Sequence, residues 1–262
     1  MNGPPGSLLL LPTLLGDVAP ERVLPAETLA LARATTIFLA ENARSARAFL
    51  KAIAHPEPLA SLSVMEIGHT PDPRRFDEWL APARHGRDIA LLSEAGCPAV
   101  ADPGAGLVAR AHLRGLRVRP LVGPSSLLLA LMGCGMSGQR FRFVGYLPHD
   151  RRALAIAIGE LERASGGAET QLFIETPYRN ERLLQALLDH ARPDTRLAVA
   201  VDLTTDTERV LSLPICDWRA LAVQSRPRLA RHPTVFALMA AAAGQPRSGS
   251  SAPGRSPGSG RQ

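Results

Sequence analysis

Short, uniformly apolar segments alternate with helical segments along the first half of this chain. The apolar segments SLLLLPT, TTIFLAE, DIALL and LRVRPLV lack the polar alternation of a half-exposed strand, and helical segments such as PAETLALARA and SARAFLKAI lie between them. Uniformly apolar strands are typical of a parallel sheet that helices cover on both faces. The sequence therefore predicts an N-terminal α/β domain over residues 7–120, with four strands in a mostly parallel sheet.

The pattern changes after GPSS at residues 123–126. Helical and extended segments alternate up to RLAVAVDL, but ERVLSLP and PTVFALMA then follow with no helix predicted between them. Consecutive strands are joined as hairpins, which makes a sheet mixed rather than parallel. We therefore predict a second α/β domain over residues 121–243, with the boundary near residues 117–124. The Ser-, Gly- and Pro-rich segment 244–262 is predicted to be a disordered tail.

Composition and charge narrow the class of protein. Apolar residues make up 45% of the 262 residues, and no apolar run approaches the roughly 18 to 20 residues that cross a bilayer. LLLLPTLL is interrupted by Pro12 and has no basic residue before it, so we interpret it as a first strand of a cytoplasmic protein and not as a signal peptide. Three separated cysteines and seven histidines lack the spacing of a disulfide framework or a metal site, so no metal is predicted and the histidines are interpreted as surface or hydrogen-bonded groups. Half of the net charge of +6 comes from Arg247, Arg255 and Arg261 in the tail, and the remaining excess is compatible with an RNA partner without requiring one.

One segment, GCGMSG at residues 133–138, fits the G-x-G-x-x-G pattern of dinucleotide-binding proteins. That pattern binds phosphate when a strand precedes it and a helix follows it. Here the helical SSLLLALMG precedes it and the strand-like RFRFVGYLP follows it. We interpret the segment as a flexible connection.

Three connections after predicted strands are rich in glycine, proline and small polar residues. The longest, SEAGCPAVADPGAG at residues 93–106, exceeds the two to six residues that usually join a strand to a helix. LVGPSS at 121–126 and PTLLGD at 12–17 have the same character. Because the carboxyl ends of parallel strands meet at one edge, we expect these connections to form one pocket in which backbone groups approach a ligand.

Some of these polar residues also have a purely structural interpretation. Asp102 is placed to cap a helix that begins near Pro103, and Ser125 or Ser126 is placed to cap the next helix. A single cap does not explain the length of the first connection, which favours a ligand loop there.

Two further connections carry ionisable groups after a strand. FIETPYRNERLL places Glu175, Tyr178 and Arg179 within one turn of a helix that we expect to begin at Pro177, and AENARSAR places Glu41, Asn42 and Arg44 together. The functional interpretation is an acid–guanidinium site, and the structural one is an acid near a helix N-terminus with a solvated arginine. Spacing alone does not decide between them.

Taken together, these segments resemble the tetrapyrrole methylase superfamily, and in particular its branch that methylates 16S ribosomal RNA. That branch has PTPIGN, AEDTR and SDAGTPxxSDPG motifs, which PTLLGD, AENAR and SEAGCPAVADPG match here. Its PLPGPxxxxxAL, EGFLP and FYESxHR motifs are matched by PLVGPSSLLLAL, VGYLP and FIETPYR. The resemblance extends from about residue 8 to residue 240.

The departures from the branch are concentrated on the side that the resemblance assigns to the methyl acceptor. Leu14 and Asp17 replace Pro and Asn, Asn42 and Ala43 replace Asp and Thr, and Tyr178 replaces His. GHTPDP stands where an HxHN-like stretch is usual. The resemblance thus implies a retained methyl-donor pocket and an altered acceptor side, as in a divergent paralogue.

The resemblance also implies the cofactor, the partners and the site residues. It implies S-adenosylmethionine as the small-molecule methyl donor, held in a cleft between the two α/β domains of a homodimer, with ribosomal RNA or the 30S subunit as partner. Glu41 and Glu175 become candidates for the base, with Arg44 and Arg179 as contacts to phosphate or carboxylate. The residues carried over as binding the cofactor are Thr13, Gly16, Glu94, Ala95, Gly96, Cys97, Ala101, Asp102, Pro103, Gly104, Gly123, Pro124, Ser125 and Ser126.

Three classes of function remain open at this point. The first is a methyltransferase that acts on a ribose 2′-hydroxyl of 16S ribosomal RNA. The second is a methyltransferase for a tetrapyrrole or another small acid-bearing metabolite, which would need an enclosed apolar pocket. The third is a cofactor-binding regulatory protein without methylation activity, which the altered residues on the acceptor side motivate.

Overall fold

The computed structural model describes residues 4–241, so the whole predicted tail, 244–262, including its three arginines, lies outside the described residues. The strands are β1 (Ser7–Leu10), β2 (Ile37–Ala40), β3 (Ser63–Glu66), β4 (Ile89–Leu92), β5 (Arg117–Pro120), β6 (Phe141–Tyr146), β7 (Thr170–Ile174), β8 (Arg196–Val201), β9 (Arg209–Pro214) and β10 (Thr234–Met239). The α-helices are α1 (Ala26–Ala34), α2 (Ala43–Ala52), α3 (Phe76–Arg84), α4 (Ala105–Leu113), α5 (Ser126–Gly133), α6 (Arg151–Ser165), α7 (Asn180–His190) and α8 (Ile215–Ala220).

The first sheet is parallel throughout and has the order β3-β2-β4-β1-β5. Every residue of β2 and β4 is buried, as their uniformly apolar sequences predict. The fifth strand, β3, was not predicted, because it lies at the edge of the sheet, where Ser63 and Glu66 are exposed and the apolar signal is weak. The sheet leaves the connections after β1, β2, β4 and β5 along one edge.

The second sheet is mixed and has the order β6-β7-β10-β8-β9. β6 and β7 are parallel, whereas β10 pairs antiparallel with both β7 and β8, and β8 and β9 form a hairpin. The predicted α/β class with one parallel and one mixed sheet is therefore confirmed. The domain boundary near residues 117–124 stays a prediction, supported by α5, whose Ala130 and Leu131 pack with apolar residues of the second sheet.

Helix ends explain two differences from the predicted elements. α4 begins at Ala105 rather than Pro103, and α7 begins at Asn180 rather than Pro177. In both places a proline-containing turn extends the connection before the helix starts, which lengthens the loop at the edge of the sheet. Gly133 ends α5 and β6 follows at Phe141, so GCGMSG joins a helix to a strand, as interpreted.

Within residues 4–241, no helix is both long enough and apolar enough to cross a bilayer. The same part of the chain has no group of three or more His, Cys, Asp or Glu side chains placed to hold a metal ion.

Candidate active site

The three glycine-bearing connections meet at the carboxyl edge of the first sheet. The backbone N–H of Thr13, after β1, donates to the carbonyl of Gly96, after β4, at 2.9 Å. The thiol of Cys97 in turn donates to the carbonyl of Pro124, after β5, at 3.4 Å. β4, β1 and β5 are neighbours in the sheet, so the strand order brings these loops together. They form one continuous wall.

The connection after β4 has an unusual backbone. Ala99 and Ala101 have φ angles of 65° and 64°, a left-handed conformation that alanine rarely adopts, and Gly96 and Gly104 have φ angles of 71° and 136°. Each strained alanine costs on the order of 1 kcal/mol or more, and such strain is concentrated at functional sites. A loop that only joined a strand to a helix would not need this geometry.

Close backbone approach also accounts for two of the glycines. A Cβ added to Gly123 would lie 2.4 Å from Cβ of Pro12, and one added to Gly16 would lie 2.6 Å from Cγ2 of Thr205. The first contact joins the loops after β5 and β1, and the second joins the β1 loop to the β8–β9 connection of the second sheet. Side chains at these positions would push the walls of the site apart.

A cavity of about 120 Å³ lies between the connections after β4 and β5 and the end of β7. Its lining includes seven of the residues that the sequence assigned to the cofactor, namely Ala95, Gly96, Cys97, Ala101, Asp102, Ser125 and Ser126, together with Val100, Leu127 and Ile174. Ser125 is also the N-cap of α5, since its hydroxyl accepts from the N–H of Leu128, so its structural interpretation is confirmed as well.

The other predicted cofactor residues surround this cavity without lining it. Gly123 and Pro124 line a neighbouring cavity of about 490 Å³. Thr13 is buried, and its hydroxyl donates to the carbonyl of Ser93 at 3.4 Å. Gly104 is the N-cap residue of α4 and packs against Leu91. Gly16, Glu94 and Pro103 flank these groups in the same loops.

The larger cavity reveals a wall that the sequence analysis missed. Thr204, Thr205 and Glu208, in the connection between β8 and β9, face residues of the β5 loop across it. Thr204 has a φ of 76°, and its buried hydroxyl has no hydrogen-bond partner in the described chain. A polar segment between two strands looks like an ordinary hairpin loop, so only the packing against Gly16 identifies it.

Acidic side chains are concentrated beside the smaller cavity. Glu41 is buried; its Oε1 lies 2.5 Å from Nδ1 of His69, and its Oε2 accepts from the N–H of Glu94 at 3.3 Å. Burial, and then the charge of Glu41, raises the pKa of Asp102 to about 6, against a lowering contribution from a hydrogen bond with Ser93. An acid with a raised pKa in a cleft is a candidate functional group.

The interpretation of Asp102 as a helix cap is wrong. The N-cap residue of α4 is Gly104, and no side chain caps this helix. Asp102 therefore has no structural role at the helix N-terminus and lines the cavity instead.

The loop after β2 explains one departure from the related motif. Oδ1 of Asn42 accepts from the N–H groups of Arg44 and Ser45 at 2.9 and 3.2 Å, which caps α2. Aspartate and asparagine cap helices about equally well, so this replacement preserves the local fold. Arg44 is exposed, and its guanidinium makes no hydrogen bond or ion pair with the described residues.

The loop after β7 forms a second cluster. Oε1 of Glu175 accepts from the N–H of Thr176 at 2.7 Å, and its Oε2 lies 3.3 Å from Nη2 of Arg179. Arg179 also contacts both ring nitrogens of His149, a residue that no sequence motif indicated. The predicted pairing of Glu175 with Arg179 is thus present, whereas Tyr178 is 81% exposed.

Tyr146, at the end of β6, lies within electrostatic reach of both acidic clusters. Burial raises the pKa of its phenol, and the charges of Asp102, Glu175 and Glu41 raise it further. The acids after β2, β4 and β7 therefore lie around one space, and Tyr146 is within electrostatic range of all three.

The residues around this space fit S-adenosylmethionine. That molecule carries a permanent sulfonium and an ammonium cation, and Glu41, Glu94 and Asp102 provide negative charge beside the cavity. Backbone groups held open by small residues provide hydrogen bonds to the rest of such a ligand. Among the described residues, Glu41 is the one of these three acids that forms an ion pair, with His69, which leaves negative charge for a cation to neutralise.

Comparisons with known proteins agree with this arrangement. The tetrapyrrole (corrin/porphyrin) methylase family model matches residues 26–217. A relative from Pseudomonas aeruginosa named ribosomal RNA small subunit methyltransferase I is 30% identical over 224 residues, which cover 82% of this chain and 73% of that protein. Among solved structures, the methyltransferase CobJ has a TM-score of 0.58 at 20% identity, covering 93% of this chain and 97% of that one. The uroporphyrin-III C-methyltransferase of Thermus thermophilus, solved with S-adenosylhomocysteine, has a TM-score of 0.53 at 19% identity, covering 89% and 97%. The chain belongs to the tetrapyrrole methylase family and is an S-adenosylmethionine-dependent methyltransferase.

Proposed function

We propose that this protein methylates a ribose 2′-hydroxyl of 16S ribosomal RNA. The observation that carries the proposal is a basic surface beside the space among Glu41, Asp102 and Glu175, which we call the acceptor space. A phosphate-bearing acceptor needs such a surface, whereas a small metabolite would need an enclosed apolar pocket. The name of the Pseudomonas aeruginosa relative supports the same substrate. This substrate also implies a cytoplasmic protein.

The basic surface consists of Arg151, Arg152, Arg179 and Arg182, with His149 between them. Nη2 of Arg182 donates to the carbonyl of His149 at 3.1 Å, and His149 contacts Arg179, which joins these side chains to Glu175. Arg151 and Arg152 are exposed in the first turn of α6. Cations there are unfavourable to the helix dipole, by about 0.3 to 1 kcal/mol each. Their position is therefore better explained by binding phosphate than by folding.

The loops after β1, β4 and β5 would hold the methyl donor, which supplies a methyl group on a positively charged sulfur. Asp102 and Glu94 would face its cationic groups, and the backbone of Ala95–Cys97 and Gly123–Ser125 would bind its polar parts. In-line transfer to a hydroxyl depends mainly on alignment and on exclusion of water, which a walled cavity provides.

Loss of the hydroxyl proton requires a base, and we assign Glu175 to this role. Both candidate acids have two engaged oxygens, those of Glu41 by His69 and the N–H of Glu94, and those of Glu175 by the N–H of Thr176 and by Arg179. What favours Glu175 is its position in the chain. Glu175 is held in place by Thr176 and Arg179 and lies next to Ile174, which lines the cavity. A carboxylate fixed in this way can accept a proton without first reorganising.

We also propose that the active form is a homodimer. Val100 and Val122 beside the cavities, and Leu128 and Met132 one turn apart on α5, are 48–79% exposed. Apolar side chains at this density suit a protein interface. Light scattering on the protein as it elutes from a size-exclusion column should give twice the mass of one chain. The mass of a single chain would reject the proposal.

The function is tested by incubating the protein with tritiated S-adenosylmethionine and 30S subunits from a strain that lacks this gene. We expect tritium in the 16S RNA, on a ribose oxygen after nuclease digestion. Label that appears only in small molecules of a cell extract would favour a metabolite methyltransferase. Tight cofactor binding without transfer to any acceptor would favour a regulatory protein.

Replacing Arg151 and Arg152 together with alanine should weaken RNA binding and make it less sensitive to salt. Each lost phosphate contact reduces the slope of log affinity against log salt by about 0.9, so we expect a reduction of about 1 to 2. Filter binding of 16S RNA between low and moderate salt measures the slope. As a control, Arg117→Ala removes an exposed arginine at the start of β5, at the end of the first sheet away from the site loops. This substitution should leave the salt slope unchanged. Equal slopes for the double variant and the wild type would reject the proposal that the basic surface binds RNA phosphates.

Binding of S-adenosylmethionine should weaken as the pH falls through about 6. The pKa of Asp102 is about 6 in the free protein, and Glu41, Glu94 and His69 are the charged groups around it. A bound cation favours the ionised carboxylate and lowers this pKa, so binding is strongest above pH 6 and loses up to about tenfold per pH unit below it. Calorimetric titration from pH 5 to 8 measures the change.

Asp102→Asn should bind the cofactor more weakly at pH 7.5 and with a flatter dependence on pH. Glu160→Gln, which alters an exposed acid on α6, serves as the matched control and should behave as the wild type. Affinity that is the same at pH 5 and pH 7.5 in the wild type would contradict the role of Asp102.

A further inference from the structure

Strand β6 contains an irregularity that determines where Tyr146 lies. Its register with β7 runs regularly from Phe141 opposite Thr170 to Phe143 opposite Leu172, and then places Tyr146 opposite Ile174. β6 thus advances three residues where β7 advances two, which is a β-bulge. The extra residue is accommodated at Gly145, which has a φ of 74°. Bulges of this kind occur next to active sites, where they redirect a side chain.

The bulge brings Tyr146 to the acceptor space. In a regular ladder Gly145 would stand opposite Ile174, and the position would have no side chain. With the bulge, the residue opposite Ile174 is Tyr146; Ile174 lines the smaller cavity, and Glu175 follows β7 directly. The ring remains 56% exposed, so it is open to a molecule that enters the space.

An uncharged hydrogen-bond donor at Tyr146 would complement the acids around it. Asp102, Glu41 and Glu175 surround the space, and ionised carboxylates can only accept hydrogen bonds. A nucleotide is rich in oxygens that also accept, so these acids alone would repel it. The same acids keep the phenol protonated, because they raise its pKa, and a protonated phenol donates. Tyr146 therefore adds an uncharged hydrogen-bond donor among these acids, beside the guanidinium of Arg179 that pairs with Glu175.

We propose that Tyr146 contacts the methyl acceptor directly, with its ring packed on the acceptor nucleotide and its hydroxyl donating a hydrogen bond to an oxygen of that nucleotide. The inference rests on the proposed function, since it names the residue that recognises the acceptor.

Tyr146→Phe, which removes only the hydroxyl, tests the inference. We expect kcat/KM for methylation of 30S subunits to fall about tenfold, as for the loss of one hydrogen bond to substrate, with the Kd for S-adenosylmethionine unchanged. Tyr146→Ala should lower kcat/KM by about a further tenfold, because the ring that packs on the nucleotide is lost as well. Phe141→Ala removes an exposed ring at the other end of β6 and should retain wild-type activity.

The outcomes separate the inference from the function on which it rests. If the wild type does not label 16S RNA, the proposed function fails and the inference fails with it. If the wild type labels the RNA and Tyr146→Phe has the same kcat/KM, the function stands and the inference is overturned. If Tyr146→Phe instead raises only the Kd for S-adenosylmethionine, the phenol belongs to the cofactor side and the inference is also overturned.

Discussion

Gly123→Ala is expected to weaken binding of S-adenosylmethionine at least tenfold and to lower the melting temperature. The new Cβ would lie 2.4 Å from Cβ and 2.7 Å from Cγ of Pro12, a distance that neither rigid loop can absorb in place. The β5 loop must therefore move away from the β1 loop, which displaces the Pro124 carbonyl that accepts from Cys97. Overpacking of this kind costs about 1 to 3 kcal/mol, equivalent to roughly 2 to 10 °C in a chain of this size.

The matched control for this substitution lies in the segment that imitates a nucleotide-binding motif. Gly138→Ala adds the same methyl group where nothing lies within 4 Å and where φ is not positive. We expect its cofactor affinity and melting temperature to equal those of the wild type, as calorimetry and a thermal scan would show. If Gly138→Ala weakened binding of the cofactor and Gly123→Ala did not, the cofactor would bind at GCGMSG and not at the β5 loop, which would reverse our assignment.

The loops proposed to form the donor side of the site could be predicted because each one has a recognisable pattern in its own short stretch of sequence. Small and polar residues directly after a buried strand are uncommon unless backbone must approach a ligand, and the parallel order of the strands then brings such loops to one edge. This reasoning found Ala95–Cys97, Asp102 and Ser125, which line the cavity. It was wrong only about the start of α4, because the turn through Pro103 delays the helix until Ala105 and so rules out the alternative interpretation of Asp102 as its cap.

The residues that the sequence could not reveal are those whose role depends on contact between distant elements. His69 becomes significant only through Glu41, and His149 only through Arg179. Thr204 belongs to a hairpin of the second sheet and reaches the site because Gly16 packs on its neighbour Thr205. Tyr146 requires a bulge, which leaves no pattern in a run of apolar residues. The proposed acceptor side includes residues after strands of both sheets, whereas the proposed donor side comes mainly from the first sheet, and this explains why the donor side was easier to predict.

Glu175→Gln should reduce kcat for methylation of 30S subunits by about 10²- to 10³-fold while the Kd for S-adenosylmethionine stays within twofold of the wild type. The amide keeps the size of the side chain and can still accept from the N–H of Thr176, but it cannot take the proton of a ribose hydroxyl. Single-turnover labelling with tritiated cofactor measures the chemical step, and calorimetry measures the cofactor affinity separately.

Glu181→Gln makes the same chemical change on the exposed first turn of α7 and should methylate at the wild-type rate. Because Glu41 contacts the backbone of Glu94 in the β4 loop as well as His69, Glu41→Gln should act differently, by loosening these contacts and so raising the Kd as well as lowering the rate. A Glu175→Gln protein with full single-turnover rate and unchanged cofactor affinity would exclude Glu175 as the base and leave Asp102, whose pKa of about 6 suits proton transfer near neutrality, as the acid to test next.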